Sequence, residues 1–194
     1  MEKQRDNHKK RLIVGISGAS GVILGIRLLE LMKEQPEWET HLVMTKGAEM
    51  TIPHETDYTL KQVTSFADKV YDNDNISESI ASGTFQTEGM VILPCSMKTV
   101  AGIASGYSDN LLLRAADVTI KERRKLVIAA RECPLSTIHL RNLLTLSEAG
   151  AYIMPPMLSY YNNPQSLEDM NLHILGKILD KFGIEISGFK RWEN

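Results

Sequence analysis

The chain has 194 residues, 43% of them hydrophobic and 24% charged, with a formal net charge of −2. That length suits one domain with a sizeable core, while the charge balance implies no nucleic-acid or membrane-surface partner and no apolar run approaches bilayer-spanning length. Two cysteines, Cys95 and Cys133, are too few and too far apart for a disulfide framework or a zinc site, in keeping with a reducing, cytoplasmic setting.

The opening MEKQRDNHKKR is charged with no apolar h-region behind it, so no signal peptide is expected. Residues 1–10 are expected to form a disordered, solvated tail and residues 11–194 a single domain. Leu12 to Ile16 is the short apolar, β-branched run of a buried parallel strand. Gly15, Gly18 and Gly21 bracket Ser17 and Ser20, and then Val22, Ile23, Ile26, Leu28, Leu29 and Leu31 recur at helical spacing. Strand, glycine turn, helix is the phosphate-cradling unit of nucleotide-binding α/β proteins: glycines let the backbone approach an anion, and the free N–H groups and dipole of a helix start favour negative charge. The spacing is not the strict dinucleotide fingerprint, and a tight βα turn also needs glycine for geometry alone. Thr40 to Thr45 is the second strand. Thr45 and Lys46 stand where a dinucleotide fold carries an acidic residue for the ribose, which argues for a phosphate-bearing mononucleotide.

Residues 47–70 read as helical pieces broken at Pro53, with Leu60, Val63, Phe66, Ala67 and Val70 as a core stripe. On spacing alone Glu55, just after the proline, is a solvated carboxylate. Residues 71–88 read as loop with one turn of helix. Met90 to Leu93 is the third strand, and in the following PCSMKT Ser96 and Thr99 are placed to cap a helix or to donate to a ligand. Cys95 reads as a small core residue rather than a nucleophile. In the helix over 109–124, Leu111, Leu112, Ala115, Val118 and Ile120 point inward. Arg114 and Lys121 lie close to one face, either a solvated basic face or an anion site across a subunit boundary.

Lys125 to Ala130 is the fourth strand. It ends in Arg131 and Glu132, at the edge where ligands of open α/β sheets sit. In the helix from Ser136 to Glu148, His139 reads as a packing or hydrogen-bonded residue. Ala151 to Met154 is the fifth strand, and PPMLSYYNNPQS after it offers phenol groups on a rigid loop. Ser166 with Asp169 resembles a capping box opening a last helix to Phe182, which carries Lys177. Trp192 is the kind of tail aromatic that packs on a neighbouring chain or closes a pocket. The sum is an α/β protein with about five parallel strands and helices on both faces, binding a monophosphorylated nucleotide. A second polar cluster of Arg114, Lys121, Arg131, Glu132, Tyr161 and Lys177 has the surplus positive charge that suits another phosphorylated substrate.

Taken together, GISGASG, HLVMTKGAEMTIPHETD, PCSMKT, RAADVTIKERRKLV, the Arg131-Glu132-Cys133-Pro134-Leu135 run, IHLRNLLTLSEAGAYIMPPM, YYNNPQSLEDM and the closing RW resemble the flavin prenyltransferase family (UbiX-type) from Arg11 to Trp192. The wording is most similar to members encoded as the B subunit of hydroxyarylic-acid decarboxylase systems. The resemblance implies a flavodoxin-like, three-layer Rossmann-type fold with a parallel sheet. It implies a metal-independent transferase that joins the dimethylallyl group of dimethylallyl phosphate to N5 and then C6 of reduced FMN. The product, prenylated FMN, serves a UbiD-type decarboxylase. It also implies a dodecamer with sites between subunits.

Carried over by motif, FMN contacts come from Gly18, Ala19, Ser20, Thr45, Ser96, Met97, Lys98, Thr99 and Arg131, with Ser20 near the flavin N5. Arg114, Lys121, Tyr161 and Lys177 hold the prenyl phosphate, with Glu55 and Glu132 nearby. Glu132 is the acid–base group of ring closure, and Trp192 lines the pocket. Thr45 replaces the serine of many members and keeps the hydroxyl. Lys177 replaces the usual arginine, keeping the charge without the bidentate fork. Two other readings differ in chemistry. Flavoproteins that oxidatively decarboxylate cysteinyl substrates carry a PAMN-type motif where this chain has PPMLSYY, and a non-enzymatic flavin-carrying subunit would leave the anion-binding residues without a role.

Overall fold

The computed structural model describes residues 9–192. Six strands form one parallel sheet: β1 (Lys10–Ile16), β2 (Trp38–Met44), β3 (Lys69–Tyr71), β4 (Gly89–Cys95), β5 (Lys125–Ala130) and β6 (Tyr152–Ile153). Their order is β3-β2-β1-β4-β5-β6. Without the three-residue edge strand β3, the winding is the flavodoxin-like order 2-1-3-4-5. The connecting helices are α1 (Val22–Lys33), α2 (Lys46–Glu55), α3 (Leu60–Ser65), α4 (Met97–Ala104), α5 (Leu111–Lys121), α6 (Thr137–Glu148) and α7 (Leu167–Leu179), with 3-10 turns at Ser79–Ala81 and Asp180–Phe182.

Side chains alternate across a strand, so each strand supplies both faces. Leu12, Val14, Leu42, Val91 and Val127 pack with α1, α2, α3 and α7 on one side. Ile13, Val43, Met90, Ile92, Leu126 and Ile128 pack with α4, α5 and α6 on the other. Burial on both faces is why the strands read as continuous apolar runs. α6 is the least buried of the long helices: Leu146 is its buried residue, while Ile138, Leu140 and Leu144 face outward.

Several boundaries differ from the sequence reading. β1 takes in Lys10, whose N–H bonds the carbonyl of Glu37; residues 1–8 of the expected tail lie outside the described residues. β3 was not expected. The Asp68 carboxylate accepts from the Thr40 N–H at 2.8 Å and hydroxyl at 3.1 Å, which docks this segment on the edge of β2. Val70 therefore lies on a strand, 43% exposed, and Leu60 is 41% exposed, so neither belongs to the core stripe. Pro53 sits inside α2 instead of breaking it. The carbonyl it deprives of a partner belongs to Glu49, an exposed residue. Ile120 is half-buried.

Two contacts fix the carboxyl edge. Ser17, fully buried, donates its hydroxyl to the Pro94 carbonyl at 3.1 Å and accepts from the Ser96 N–H at 2.7 Å, joining the end of β1 to the end of β4. Glu55, at the end of α2, accepts from the N–H groups of Gly21 at 2.8 Å and Val22 at 3.3 Å and so fills the start of α1. Partial burial pushes the Glu55 pKa up; hydrogen bonds from Ser20, Gly21 and Val22, with the charge of Arg131, outweigh this and hold it below the ordinary glutamate value.

Ser17→Ala is expected to leave the Ser96 amide without its partner and to cost about 1–3 kcal/mol, read as a lower urea midpoint with unchanged slope. Because the folded-state pKa of Glu55 is depressed, its contribution is complete above the ordinary value of 4.5 and is lost as pH falls through the lower folded value. The stability gap between wild type and Glu55→Gln should hold steady near neutrality and close in acid, as urea midpoints across that range will show.

Candidate active site

The sheet reverses its winding between β1 and β4, and the loops after these strands part to opposite faces. A cavity of about 690 Å³ opens there. Gly18 follows β1; Thr45, Lys46 and Gly47 follow β2; Asn73 and Asp74 follow β3. Ser96, Lys98, Thr99, Ala101, Gly102 and Ser105 belong to the start and outer side of α4. Tyr107, Asp109, Asn110, Leu112 and Leu113 close the wall at α5. Gly18 is required by contact: a Cβ there would lie 2.9 Å from the Gly47 Cα, so the first two loops touch backbone to backbone.

Helix starts converge on this edge and are not equivalent. α1 is filled by Glu55. At α5, the Asn73 carbonyl accepts from the Leu111 N–H, the Asn73 side chain from Leu112 and the Asn110 side chain from Leu113. At α2, Thr45 Oγ1 accepts from the Ala48 N–H at 3.2 Å; at α4, Ser96 Oγ accepts from Thr99 at 3.4 Å. The amides of Gly47, Met97 and Lys98 have no acceptor among the described residues. These two helix starts, with the charges of Lys46 and Lys98, make an anion site.

This corrects the sequence reading in three respects. The glycine turn after β1 is not the open phosphate cradle, because a carboxylate of the chain already occupies the start of α1. Ser17 faces β4 rather than a ligand. Glu55 is likewise no freely solvated carboxylate.

The other expected residues fall in separate places. Ala19 is half-buried on the first loop, and the Met97 side chain is buried in the core. Ser20 and Arg131 both act on Glu55. The Arg131 N–H bonds the Cys95 carbonyl at 3.0 Å, and Glu132, exposed beside it, accepts from the Cys133 N–H at 3.0 Å. Arg114 donates to Asp117 at 2.6 Å on the outer side of α5. Lys121 pairs with Glu122 at the far end of that helix, about 10 Å along its axis from Arg114, at the edge where β5 begins. Lys177 lines a different cavity, of about 430 Å³, with Tyr152, Asp180 and Lys181. Tyr161 bonds His173 at 3.0 Å and packs on Trp192 with ring centroids 5.4 Å apart. A single chain therefore does not assemble the cluster of Arg114, Lys121, Arg131, Glu132, Tyr161 and Lys177.

Lys46, which the sequence offered with Thr45 as a sign of a phosphate-bearing ligand, lines the cavity; Gly47, Asn73, Asp74, Tyr107 and Asp109 were missed. Asn73 sits in an Asp/Asn-rich stretch of the kind that caps helices, but the amides it serves are nearly forty positions away. His139 receives the Ser136 N–H in a capping box. Burial pushes the Cys95 thiol pKa far up, which leaves it inert. Among the described residues no helix is long and apolar enough to cross a membrane.

The model of the Flavoprotein family matches residues 1–178. The flavin prenyltransferase LpdB of Lactiplantibacillus plantarum is 54% identical over 184 residues, 95% of this chain and 98% of that protein. The crystal structure of AnUbiX (PadA1) in complex with FMN and dimethylallyl pyrophosphate superposes with a TM-score of 0.94 at 45% identity, covering 96% of this chain and 98% of that one. The dodecameric FMN-dependent UbiX-like decarboxylase of Escherichia coli O157:H7 gives 0.93 at 48% identity, covering 95% and 100%. With this fold, this open pair of helix starts and relatives matched along nearly their whole length, the chain belongs to the UbiX-type flavin prenyltransferase family of flavoproteins.

Proposed function

We propose that this chain transfers the dimethylallyl group of dimethylallyl phosphate to N5 and C6 of reduced FMN, making prenylated FMN for a UbiD-type decarboxylase. The observation that carries the reading is the pair of open helix starts, α2 and α4, facing a cleft at the switch point of the sheet. They suit the FMN phosphate: Thr45, Ser96, Lys98 and Thr99 offer hydroxyls and charge, and Gly18, Ala19 and the Met97 amide complete the contacts. Reduced flavin supplies the nucleophilic N5 and C6.

Cleavage of the allylic C–O bond places the electron pair on the departing phosphate. Arg114, Lys121, Lys177 and the Tyr161 phenol stabilise that charge in a site screened from water, with Trp192 lining it. Ser20, held by Glu55, is stationed near N5, and the bonds from Ser20, Gly21 and Val22, with the charge of Arg131, keep Glu55 ionised. In ring closure the allyl double bond gains one proton and C6 loses one, and Glu132, as the acid–base group, serves both transfers, directly or through the retained phosphate.

The site is shared between subunits on this reading. Lys121 stands at the opposite sheet edge from the cleft of its own chain. Leu135, Ile138, Leu140, Leu144, Met157 and Leu158 offer exposed apolar surface for assembly, and the dodecamer of the Escherichia coli relative supplies the plan. The two cysteines remain free thiols, in keeping with work in the cytoplasm.

Anaerobic incubation with FMN, a reductant and dimethylallyl phosphate should yield a flavin heavier by one C5 unit on mass spectrometry. Glu132→Gln should lower its formation by about 10²-fold or more; unmodified FMN from the wild type would refute the reading. Co-assembly of Lys121→Ala chains with Glu132→Gln chains should restore activity that neither has alone, because some mixed sites then draw both native residues from different chains. No recovery in verified mixed oligomers would place both residues in one subunit's site.

A further inference from the structure

His173 lies on α7, 3% exposed, and nothing in the proposed chemistry has used it. Its Nε2 is 3.0 Å from the Tyr161 hydroxyl, while its Nδ1 is buried with no partner among the described residues. The ring is walled in. Tyr161 stands edge-on to it at 5.3 Å between centroids, and Phe189 lies 5.5 Å away. Phe189 reaches that position because residue 176 is glycine: a Cβ there would come within 2.3 Å of the Phe189 ring. A glycine inside a helix weakens it, and here it lets the carboxyl-terminal segment close over the imidazole.

We propose that His173 is a positioning residue for the prenyl-phosphate site: in its Nε2–H form it donates to the Tyr161 oxygen and turns the single phenol proton toward the phosphate. The inference rests on the reading that Tyr161 holds that phosphate. A phosphate dianion only accepts hydrogen bonds, and a phenol has one proton to give. If Tyr161 gives it to the phosphate and keeps its bond to His173, the imidazole must be the donor. Burial, and then the charge of Lys177 one turn along the helix, lower the His173 pKa, so the ring is neutral near pH 7, with one donor and one acceptor nitrogen. A histidine tautomer is usually locked by an acceptor on the other ring nitrogen. None faces Nδ1 here, so the Nδ1–H form gains no support and the phenol side decides.

The test compares His173→Gln, which keeps an N–H donor at the same reach, with His173→Leu, which has none, each alone and combined with Tyr161→Phe. His173→Leu should raise KM for dimethylallyl phosphate about tenfold, with FMN affinity unchanged, and His173→Gln should restore it to within about twofold. In the Tyr161→Phe background neither substitution should change KM further. Equal effects of Gln and Leu, or additivity with Tyr161→Phe, would make His173 a packing residue and overturn the proposal. Solid-state NMR of 15N-histidine-labelled wild type with dimethylallyl phosphate and no flavin gives a readout independent of turnover. The Nε2–H form of His173 is expected, and an Nδ1–H form or an imidazolium overturns the proposal. Failure of the wild type to prenylate FMN would instead defeat the functional reading and leave this measurement standing.

Discussion

One buried hydroxyl joins the two halves of the sheet where the chain reverses its winding. The loops after β1 and β4 leave toward opposite faces, and a crevice between them is unavoidable in this topology. Ser17 bonds across it to both Pro94 and Ser96. Ser96 in turn caps α4, so the hydroxyl in the core sets the direction of the open amides at the start of that helix. One residue further on, the Gly18–Gly47 contact sets the distance to the start of α2. The anion site is thus located by core packing rather than by the conformations of exposed loops.

The same edge divides its charges. A bare helix start attracts any anion nearby, and several at one edge would compete for a single phosphate. Glu55 at α1 and the asparagines at α5 satisfy the starts that are not to be used. The starts of α2 and α4, with Lys46 and Lys98 beside them, remain. The chain as a whole carries a net charge of −2, so the positive charge at these two helix starts is a local feature of the site.

Five of the six strands were legible because a parallel strand covered on both faces is apolar throughout, and length then separates strand from helix. β3 was not, since Lys69 and Val70 are exposed at the sheet edge and leave no apolar run to read, and its place depends on the Asp68–Thr40 contact across 28 positions. The glycine turn after β1 was read correctly as a turn and wrongly as the cradle. Whether a helix start is open depends on what folds onto it, and Glu55 comes from 34 positions downstream. Ser96 and Ser166 were visible as caps because their partners lie three residues on, whereas Thr45, Thr59 and Ser136, which cap in the same way, were not read so. Lys121 and Lys177 stood out in the sequence as surplus positive charge, but their roles came only with the family resemblance, because charge alone does not distinguish a solvated face from an anion site.

The distance between Lys121 and the cleft of its own chain bears on inheritance as well as on chemistry. On a shared-site plan, damage to this lysine is felt in an adjoining subunit, whose own gene copy can be intact. Each faulty chain then disables one site on a neighbour's cleft, so in a mixed population the lost sites fall on sound and faulty chains alike. Purifying selection on the outer side of α5 would therefore be stricter than its solvent exposure alone suggests.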